Sequence, residues 1–114
     1  MKVGDIHWVE LPSAGGHEQQ GRRPAVIAQD DAYASRVPTV LVIPLSSARA
    51  ALRFAGTTLI RATLQSGLRV DSVALVFQLR AVDRNRVGSR VGEVANPEKQ
   101  AVFEEMDKLM GRSS

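Results

Sequence analysis

The hydrophobic positions of this sequence fall into short apolar runs separated by polar or glycine-rich stretches. Residues 4–11, 24–29 and 39–45 are three such runs, and their β-branched content predicts a β-strand in each. Residues 39–45 (TVLVIPL) are apolar almost throughout, so we expect a buried central strand. Pro44 stands near its end, where a missing N–H matters least.

The second half of the chain has shorter runs with weaker patterns. Its candidates are strands at residues 57–63, 73–79 and 91–94, a capped turn at 83–86, and a segment at 46–56 that fits either a short helix or a loop. Gln78 interrupts the apolar character of the second of these strands. Five or six short strands are therefore expected in all.

The last apolar pattern has helical spacing. Apolar side chains recur every three or four residues at Val102, Phe103, Met106, Leu109 and Met110. Asn96 is a suitable N-cap ahead of Pro97, and Gly111 is suited to end the helix. Short strands followed by one amphipathic helix predict a mainly β (α+β) fold, in which the helix packs against a small barrel-like sheet.

Length and composition limit the class of protein. With 114 residues, 44% of them hydrophobic, the chain is expected to form one folded domain over residues 1–114. No apolar run reaches the ~18 residues of a membrane span, and no secretory signal is recognisable, so we expect a cytoplasmic protein with no membrane contact. The absence of cysteine excludes disulfides and thiol catalysis. With two histidines and no acidic cluster beside them, no metal or cofactor is expected.

The basic side chains lie mainly before the predicted helix. Residues 1–95 carry twelve basic and eight acidic side chains, whereas residues 96–114 carry three and four. A polyanion-binding surface requires such an excess on the body of the domain, but a solvated surface of mixed charge has it too. Charge alone leaves both interpretations open.

Two polar segments are candidates for chemistry. The first is the predicted loop at residues 12–23, which is long for a connection between strands and contains His17, Glu18, Arg22 and Arg23. The second is Ser46-Ser47, whose hydroxyls should emerge at the rim of the sheet after the buried strand. Taken singly, each of these side chains is also explained as a solvated surface group, and the sequence does not show that the two segments meet.

The order of these residues resembles the MazF/PemK family, toxins of bacterial toxin–antitoxin pairs that are also called mRNA interferases. The similar segments are residues 4–9 (GDIHWV), 16–26 (GHEQQGRRPAV), 42–46 (VIPLS), 71–75 (DSVAL) and 78–83 (QLRAVD). The loop pattern G-x-E-Q-x-G-x-R-P is the most specific part, and the resemblance runs from about residue 3 to residue 110.

The resemblance implies an SH3-like barrel of the CcdB/PemK type with a C-terminal helix, acting as a homodimer. It also implies a sequence-specific endoribonuclease that cleaves single-stranded mRNA without a metal ion or cofactor. In this family the 2′-hydroxyl attacks the neighbouring phosphorus and leaves a 2′,3′-cyclic phosphate and a 5′-hydroxyl. A cognate antitoxin, whose disordered tail blocks the RNA groove, is the implied partner.

Site residues follow from the same resemblance. Arg23, before Pro24, matches the family's catalytic arginine, and Ser46 stands where the family usually has a catalytic threonine. Glu18 matches a loop acid that supports activity in some members. Further candidates for RNA binding are His17, Gln19, Arg22, Ser47, Gln78 and Arg80.

Two of these positions depart from the family pattern. Serine at position 46 keeps the hydroxyl of threonine but loosens its rotamer, because it lacks the second γ substituent. His17 replaces a small serine and is either a proton-transfer group, a base contact or an exposed side chain. Trp8 is likewise open between stacking on a base and lying in the core or a dimer interface. The arginines at 80, 84, 86 and 90 either track RNA or are exposed charge around a turn.

Two alternative functions use the same barrel. A non-enzymatic inhibitor like the gyrase poisons acts through a C-terminal tail that contains tryptophan, and residues 109–114 contain none. A degenerate module that binds RNA or an antitoxin without cutting is compatible with Ser46 and His17.

Overall fold

A computed structural model of the chain describes residues 1–12 and 21–112. The strands are β1 (Asp5–Leu11), β2 (Gly21–Ile27), β3 (Thr39–Ser46), β4 (Thr57–Ile60), β5 (Ser72–Leu75), β6 (Arg80–Asp83) and β7 (Val87–Glu93), and they are followed by one helix, α1 (Asn96–Leu109). The strand pairs are antiparallel, so the predicted mainly β, α+β fold with a C-terminal helix is confirmed. In the described residues no helix has the length and apolar character needed to cross a membrane.

A three-residue connection curls the sheet into a barrel. Five strands lie side by side in the order β6, β3, β2, β1, β7, so β6 and β7 are at opposite edges. In sequence these two strands are joined only by a short 3-10 helix at Arg84–Arg86. Because three residues span only about 6 Å in this conformation, the two edges must come close together.

Strand β3 connects this barrel to a second, smaller sheet. One edge of β3 pairs with β2, where Ala25 lies opposite Pro44. The other edge pairs with β6 as far as Val42 and then with β5 from Leu45, and β5 also pairs with β4. Pro44 lies where this edge passes between its two partners, which is where a strand tolerates a residue without an N–H.

Apolar side chains are buried on both faces of β1, β2 and β3. Ile6, Val26 and Ile43 belong to one cluster, which also contains residues of β4, β5 and α1. Val9 and Val42, which point to the opposite face, belong to a second cluster shared with β6. The barrel therefore has its own interior, and its outer face is covered by the small sheet and the helix.

The strand predicted over residues 73–79 is wrong beyond Leu75. Val76–Gln78 form a 3-10 helix instead, and the N–H of Phe77 donates to the carbonyl of Gly56 at 3.2 Å. The chain then begins β6, which pairs with the first half of β3 rather than continuing β5. A strand ends where it loses its hydrogen-bonded neighbour. An apolar run in the sequence does not show how far that neighbour extends.

Other element ends also differ from the prediction. β2 begins at Gly21 and β7 at Val87, both earlier than expected. Polar residues occupy these extensions, as in the pairing of Glu10 with Arg22, and polar positions carry no apolar signal. There are seven strands rather than five or six, because β6 (Arg80–Asp83) is an additional strand beyond those predicted. The ambiguous segment at 46–56 contains a 3-10 helix at Arg49–Arg53, and the capped turn at 83–86 is confirmed.

Helix α1 begins one residue earlier than predicted. Ala95, not Asn96, is the N-cap residue, and its carbonyl accepts from the N–H of Lys99 at 2.8 Å. The N–H of Val94 donates to the carbonyl of Gly4 at 2.8 Å, which holds the chain extended just ahead of the helix. The pairing of the preceding strand, rather than a side-chain cap, decides where the helix starts.

The apolar stripe of the helix is buried only in its first part. Val102 is buried in the outer cluster, and Met106 packs against that cluster. Leu109 and Met110 are about half exposed. Gly111 ends the helix with a φ of 72°, as its position predicts.

Residues 61–71, which connect β4 to β5, pack against β7 at a contact that requires glycine. A Cβ atom at Gly92 would lie 2.3 Å from the carbonyl oxygen of Ser66 and 2.5 Å from that of Gln65. The N–H of Glu93 donates to this second carbonyl at 2.9 Å, so the approach is held by a hydrogen bond.

We expect Gly92→Ala to lower the free energy of unfolding by about 1–3 kcal/mol, because the added methyl group forces the two segments apart. Gly88→Ala in the same strand is the matched control, since its Cβ would lie 3.3 Å from the nearest atom. Urea denaturation of both variants measures the difference. Equal losses for the two substitutions would contradict the proposed contact.

Candidate functional site

A cleft of about 560 Å³ opens between the sheet and residues 61–71. Its lining is largely apolar, with Trp8, Pro24, Leu45 and Leu68 among the contributors. The polar side chains of the described lining are Arg23, Ser47, Arg69 and Ser72. No acidic side chain belongs to that described lining, so the cleft is electropositive.

The alternation of side chains along the strands builds the sheet wall of the cleft. Trp8 in β1 lies opposite Pro24 in β2, so both side chains point to the same face. Leu45 in β3 belongs to the cluster on that face, together with Ile43 two residues earlier. The face of the sheet that carries the outer apolar cluster therefore also forms one wall of the cleft.

Polar contacts hold the opposite wall, formed by residues 61–71. Asp71 accepts from the N–H of Ala62 at 2.8 Å and lies 3.5 Å from Arg49. Glu98 of α1 accepts from the N–H of Arg61 at 2.9 Å. Both ends of the segment are thus tied to other elements, and the side chains between them are presented from an anchored backbone.

Arg23 and Ser47 both reach the cleft, whereas Ser46 is not in its described lining. The pairing of β2 with β3 ends at Ala25 opposite Pro44, so Arg23 and Ser46 each lie two residues beyond that last pair. Arg23 is exposed.

Ser46 is buried at the end of β3, with 7% of its surface exposed. Its Oγ accepts from the N–H of Ala48 at 3.1 Å, so the hydroxyl group closes a turn. Because Oγ is the acceptor there, the hydroxyl hydrogen is not used by this bond and can be donated elsewhere.

Arg22 stacks on Trp8 instead of pointing away from the protein. The guanidinium carbon lies 4.6 Å from the centroid of the indole ring, within the range of a cation–π contact. The two residues are diagonal neighbours across the β1–β2 pair, because Trp8 faces Pro24 directly.

The remaining predicted site residues, Glu18 for catalysis and the others for RNA binding, lie away from the cleft lining or outside the described part of the chain. Gln78 is in the 3-10 helix after β5, Arg80 begins β6 opposite Val42, and both are half-buried. His17, Glu18 and Gln19 lie outside the described residues, so the structure says nothing of their positions.

Arg84 and Arg90, from the cluster at 80, 84, 86 and 90, have structural contacts. Arg84 donates to the carbonyl of Val37, and Arg90 lies 3.4 Å from the buried carboxylate of Asp5. These contacts favour the interpretation of surface charge for this pair. Within residues 1–12 and 21–112, no group of three or more histidine, aspartate or glutamate side chains is placed to hold a metal ion.

Sequence reasoning did not identify Arg69 as part of a site. Arg69 is one of twelve arginines and stands in a polar connection without a motif around it. Its place in the cleft comes from the packing of residues 61–71 against β7, which no local pattern reveals. The nearest signal is the turn residue Gly67, whose φ is 69°.

Comparison with known proteins agrees with the sequence resemblance. Residues 2–110 match the family described as PemK-like, MazF-like toxin of type II toxin–antitoxin systems. Endoribonuclease PemK of Escherichia coli is 33% identical over 116 residues, covering 100% of this chain and 80% of that protein.

Solved structures show the same fold. The crystal structure of MazF from Deinococcus radiodurans matches with a TM-score of 0.83 and 25% identity, covering 97% of this chain and 96% of that one. A MazE–MazF structure from the same organism matches with a TM-score of 0.75 and 23% identity, over 99% and 97% of the two chains. This second likeness is one of fold alone.

We expect Asp71→Ala to lower the free energy of unfolding by about 1.5–3 kcal/mol, because the N–H of Ala62 loses a charged acceptor. Asp71→Asn keeps an oxygen acceptor there, although an uncharged and weaker one, and loses the ion pair with the exposed Arg49, which is worth under ~1 kcal/mol, so we expect a smaller loss than for Asp71→Ala. Arg49→Ala removes the same ion pair and serves as the control. Urea denaturation distinguishes the variants, and an equal loss for Asp71→Asn and Asp71→Ala would refute the hydrogen bond as the main contribution.

Proposed function

Since the chain belongs to the PemK-like, MazF-like toxins of type II toxin–antitoxin systems, we propose that it is a sequence-specific endoribonuclease that cleaves single-stranded mRNA. The observation that carries this proposal is the cleft, which combines two guanidinium groups and two serine hydroxyls with no acidic side chain in its described lining. Such a cleft suits a polyanion with phosphate groups and planar bases. The naming of the related PemK as an endoribonuclease supports the same activity.

The proposed reaction needs no metal ion or cofactor. The 2′-hydroxyl loses its proton to a general base and attacks the adjacent phosphorus, and the bond to the 5′-oxygen breaks. A 2′,3′-cyclic phosphate remains on one fragment, and the departing 5′-oxygen takes up a proton. We propose Glu18 as a catalytic residue because it matches a loop acid that supports activity in some members of the family, and the general base is left unassigned.

Arg23 is the proposed catalytic arginine. Negative charge grows on the non-bridging phosphate oxygens during in-line attack, and a planar guanidinium presents two parallel N–H donors to them. Arg23 is exposed at the cleft, where a bound phosphate can reach it.

Two adjacent hydroxyls are candidates for a second hydrogen bond to the phosphate. Ser46 matches the family's threonine; it is buried and not in the described cleft lining, and its bond from the N–H of Ala48 leaves the hydroxyl hydrogen unused. Ser47 lines the cleft directly. We propose Ser46 as the catalytic hydroxyl and Ser47 as an RNA-binding one.

The proposal includes a cognate antitoxin, a homodimer and a cytoplasmic location. A disordered acidic tail would compete with RNA for the same arginines, so antitoxin and RNA should exclude each other. The fully exposed Leu64, which is not in the described cleft lining, provides apolar surface for contact with a second copy. A gyrase-poison role has no comparable support, because the related PemK is named an endoribonuclease.

We expect Arg23→Ala to reduce the rate of RNA cleavage by about 10²–10³-fold with the fold retained, because one fixed donor to the charged phosphate is lost. The assay uses a long single-stranded RNA in EDTA, with circular dichroism to confirm folding. Arg36→Ala is the matched control, an exposed arginine after β2 that is not in the cleft lining. An unchanged cleavage rate in folded Arg23→Ala would show that this residue is not catalytic. If the wild type leaves the RNA intact, the endoribonuclease is refuted and the alternative of a module that binds without cleaving is favoured.

Sedimentation of the purified protein tests the homodimer. We expect a mass of about twice the 12.4 kDa of the chain at micromolar concentration. Leu64→Glu should shift the distribution toward the monomer, because it places a charge on apolar contact surface. A monomer at all concentrations would contradict the proposed dimer.

A further inference from the structure

Trp8 lines the cleft but has no part in the proposed cleavage chemistry. The side chain is half-buried, and the guanidinium of Arg22 lies 4.6 Å from the ring centroid. This contact covers part of the indole and restricts its orientation, while the ring still contributes to the cleft wall. A fixed, partly exposed indole in an electropositive cleft is suited to stack on a planar group.

Arg69 lines the same cleft from the wall formed by residues 61–71. The backbone around it is held on both sides: the N–H of Leu68 donates to Ser66 Oγ at 3.3 Å, and Ser72 Oγ donates to the carbonyl of Val70 at 3.1 Å. The described residues provide no ion-pair partner for the exposed guanidinium. Arg69 is therefore a second cation in the cleft, on a different element from Arg23.

We propose that the cleft is a nucleotide pocket of the RNA site, in which one base stacks on Trp8 and Arg69 binds a phosphate next to the one held by Arg23. This inference rests on the proposed function and adds a base-contacting residue and a second phosphate contact to it. The volume of about 560 Å³ lies within the range of pockets that hold small organic groups, ~300–1,000 Å³. Single-stranded RNA exposes its bases for such stacking.

Charge favours RNA over a second copy of this chain as the occupant. The described lining contains two arginines and no carboxylate, and the chain as a whole has a net charge of +3. Two such surfaces repel each other unless carboxylates are placed between them, whereas phosphates complement both guanidinium groups.

Because Trp8 is the only tryptophan, its fluorescence reports on the cleft directly. The probes are ten-residue 2′-O-methyl oligonucleotides of A, C, U or alternating G and U, which lack the attacking hydroxyl and stay intact. We expect quenching of Trp8 emission on titration, strongest with one base type. Unchanged emission with all four probes, in a preparation that cleaves RNA, would overturn the pocket and leave the proposed function standing.

Variants measured by anisotropy of a fluorescein-labelled probe provide the second test. Trp8→Leu should weaken binding by about 5- to 100-fold, and Trp8→Phe should restore most of it, because phenylalanine also stacks. Arg69→Gln should weaken binding by about tenfold and reduce the slope of log affinity against log salt by about 0.7, the value for one phosphate contact on a single strand. Arg36→Gln, outside the cleft lining, is the control with unchanged affinity.

The outcomes separate this inference from the proposed function. Quenching by the probes without any cleavage of RNA would support the pocket and refute the endoribonuclease. Wild-type affinity and salt slope in folded Arg69→Gln would remove Arg69 from the pocket. Trp8 emission could instead change when the protein is diluted and stay constant when the probes are added. That result would mean that a second copy fills the cleft, and it would overturn the proposal.

Discussion

The short link between β6 and β7 constrains the rest of the structure. These strands lie at opposite edges of five, yet only Arg84–Arg86 separate them in sequence, so the sheet has to curl until the edges approach. Curling encloses the cluster around Val9 and Val42 and turns the other face of the sheet outward. That outer face is apolar as well, and it is buried by β4, β5 and α1.

The cleft is a consequence of how that outer face is covered. Strand β3 leaves β6 after Val42 and takes up β5 at Leu45, which brings residues 61–71 beside β1 and β2. Tight packing at Gly92 and hydrogen bonds at Asp71 position this segment. The sheet wall is apolar, with Leu45 belonging to the outer core cluster, and arginines from β2 and from the segment supply the charge of the cleft. A surface of this kind favours a ligand with both planar and anionic groups.

The fold class follows from local patterns, and element ends do not. Alternation and β-branched residues are enough to predict β1 and β3, and helical spacing with Gly111 is enough to predict α1. The end of β5 at Leu75 and the start of α1 after Ala95 depend on partners distant in sequence. Hydrogen bonds such as that from Val94 to Gly4 set these boundaries. The hydrophobic pattern along the sequence does not reveal such bonds, because they join residues that are far apart in the chain.

By itself, the sequence determined the family, the antiparallel barrel with its helix and the candidate status of Arg23, Ser46 and Ser47, because these depend on residue types in a fixed order. Only the tertiary structure decided which side chains share a cleft: it brings Ser47 and Arg69 to the cleft with Arg23, and buries Ser46 behind a turn. The physical reason is that a cleft forms between segments far apart along the chain. Its lining depends on strand register and packing, which no single segment encodes.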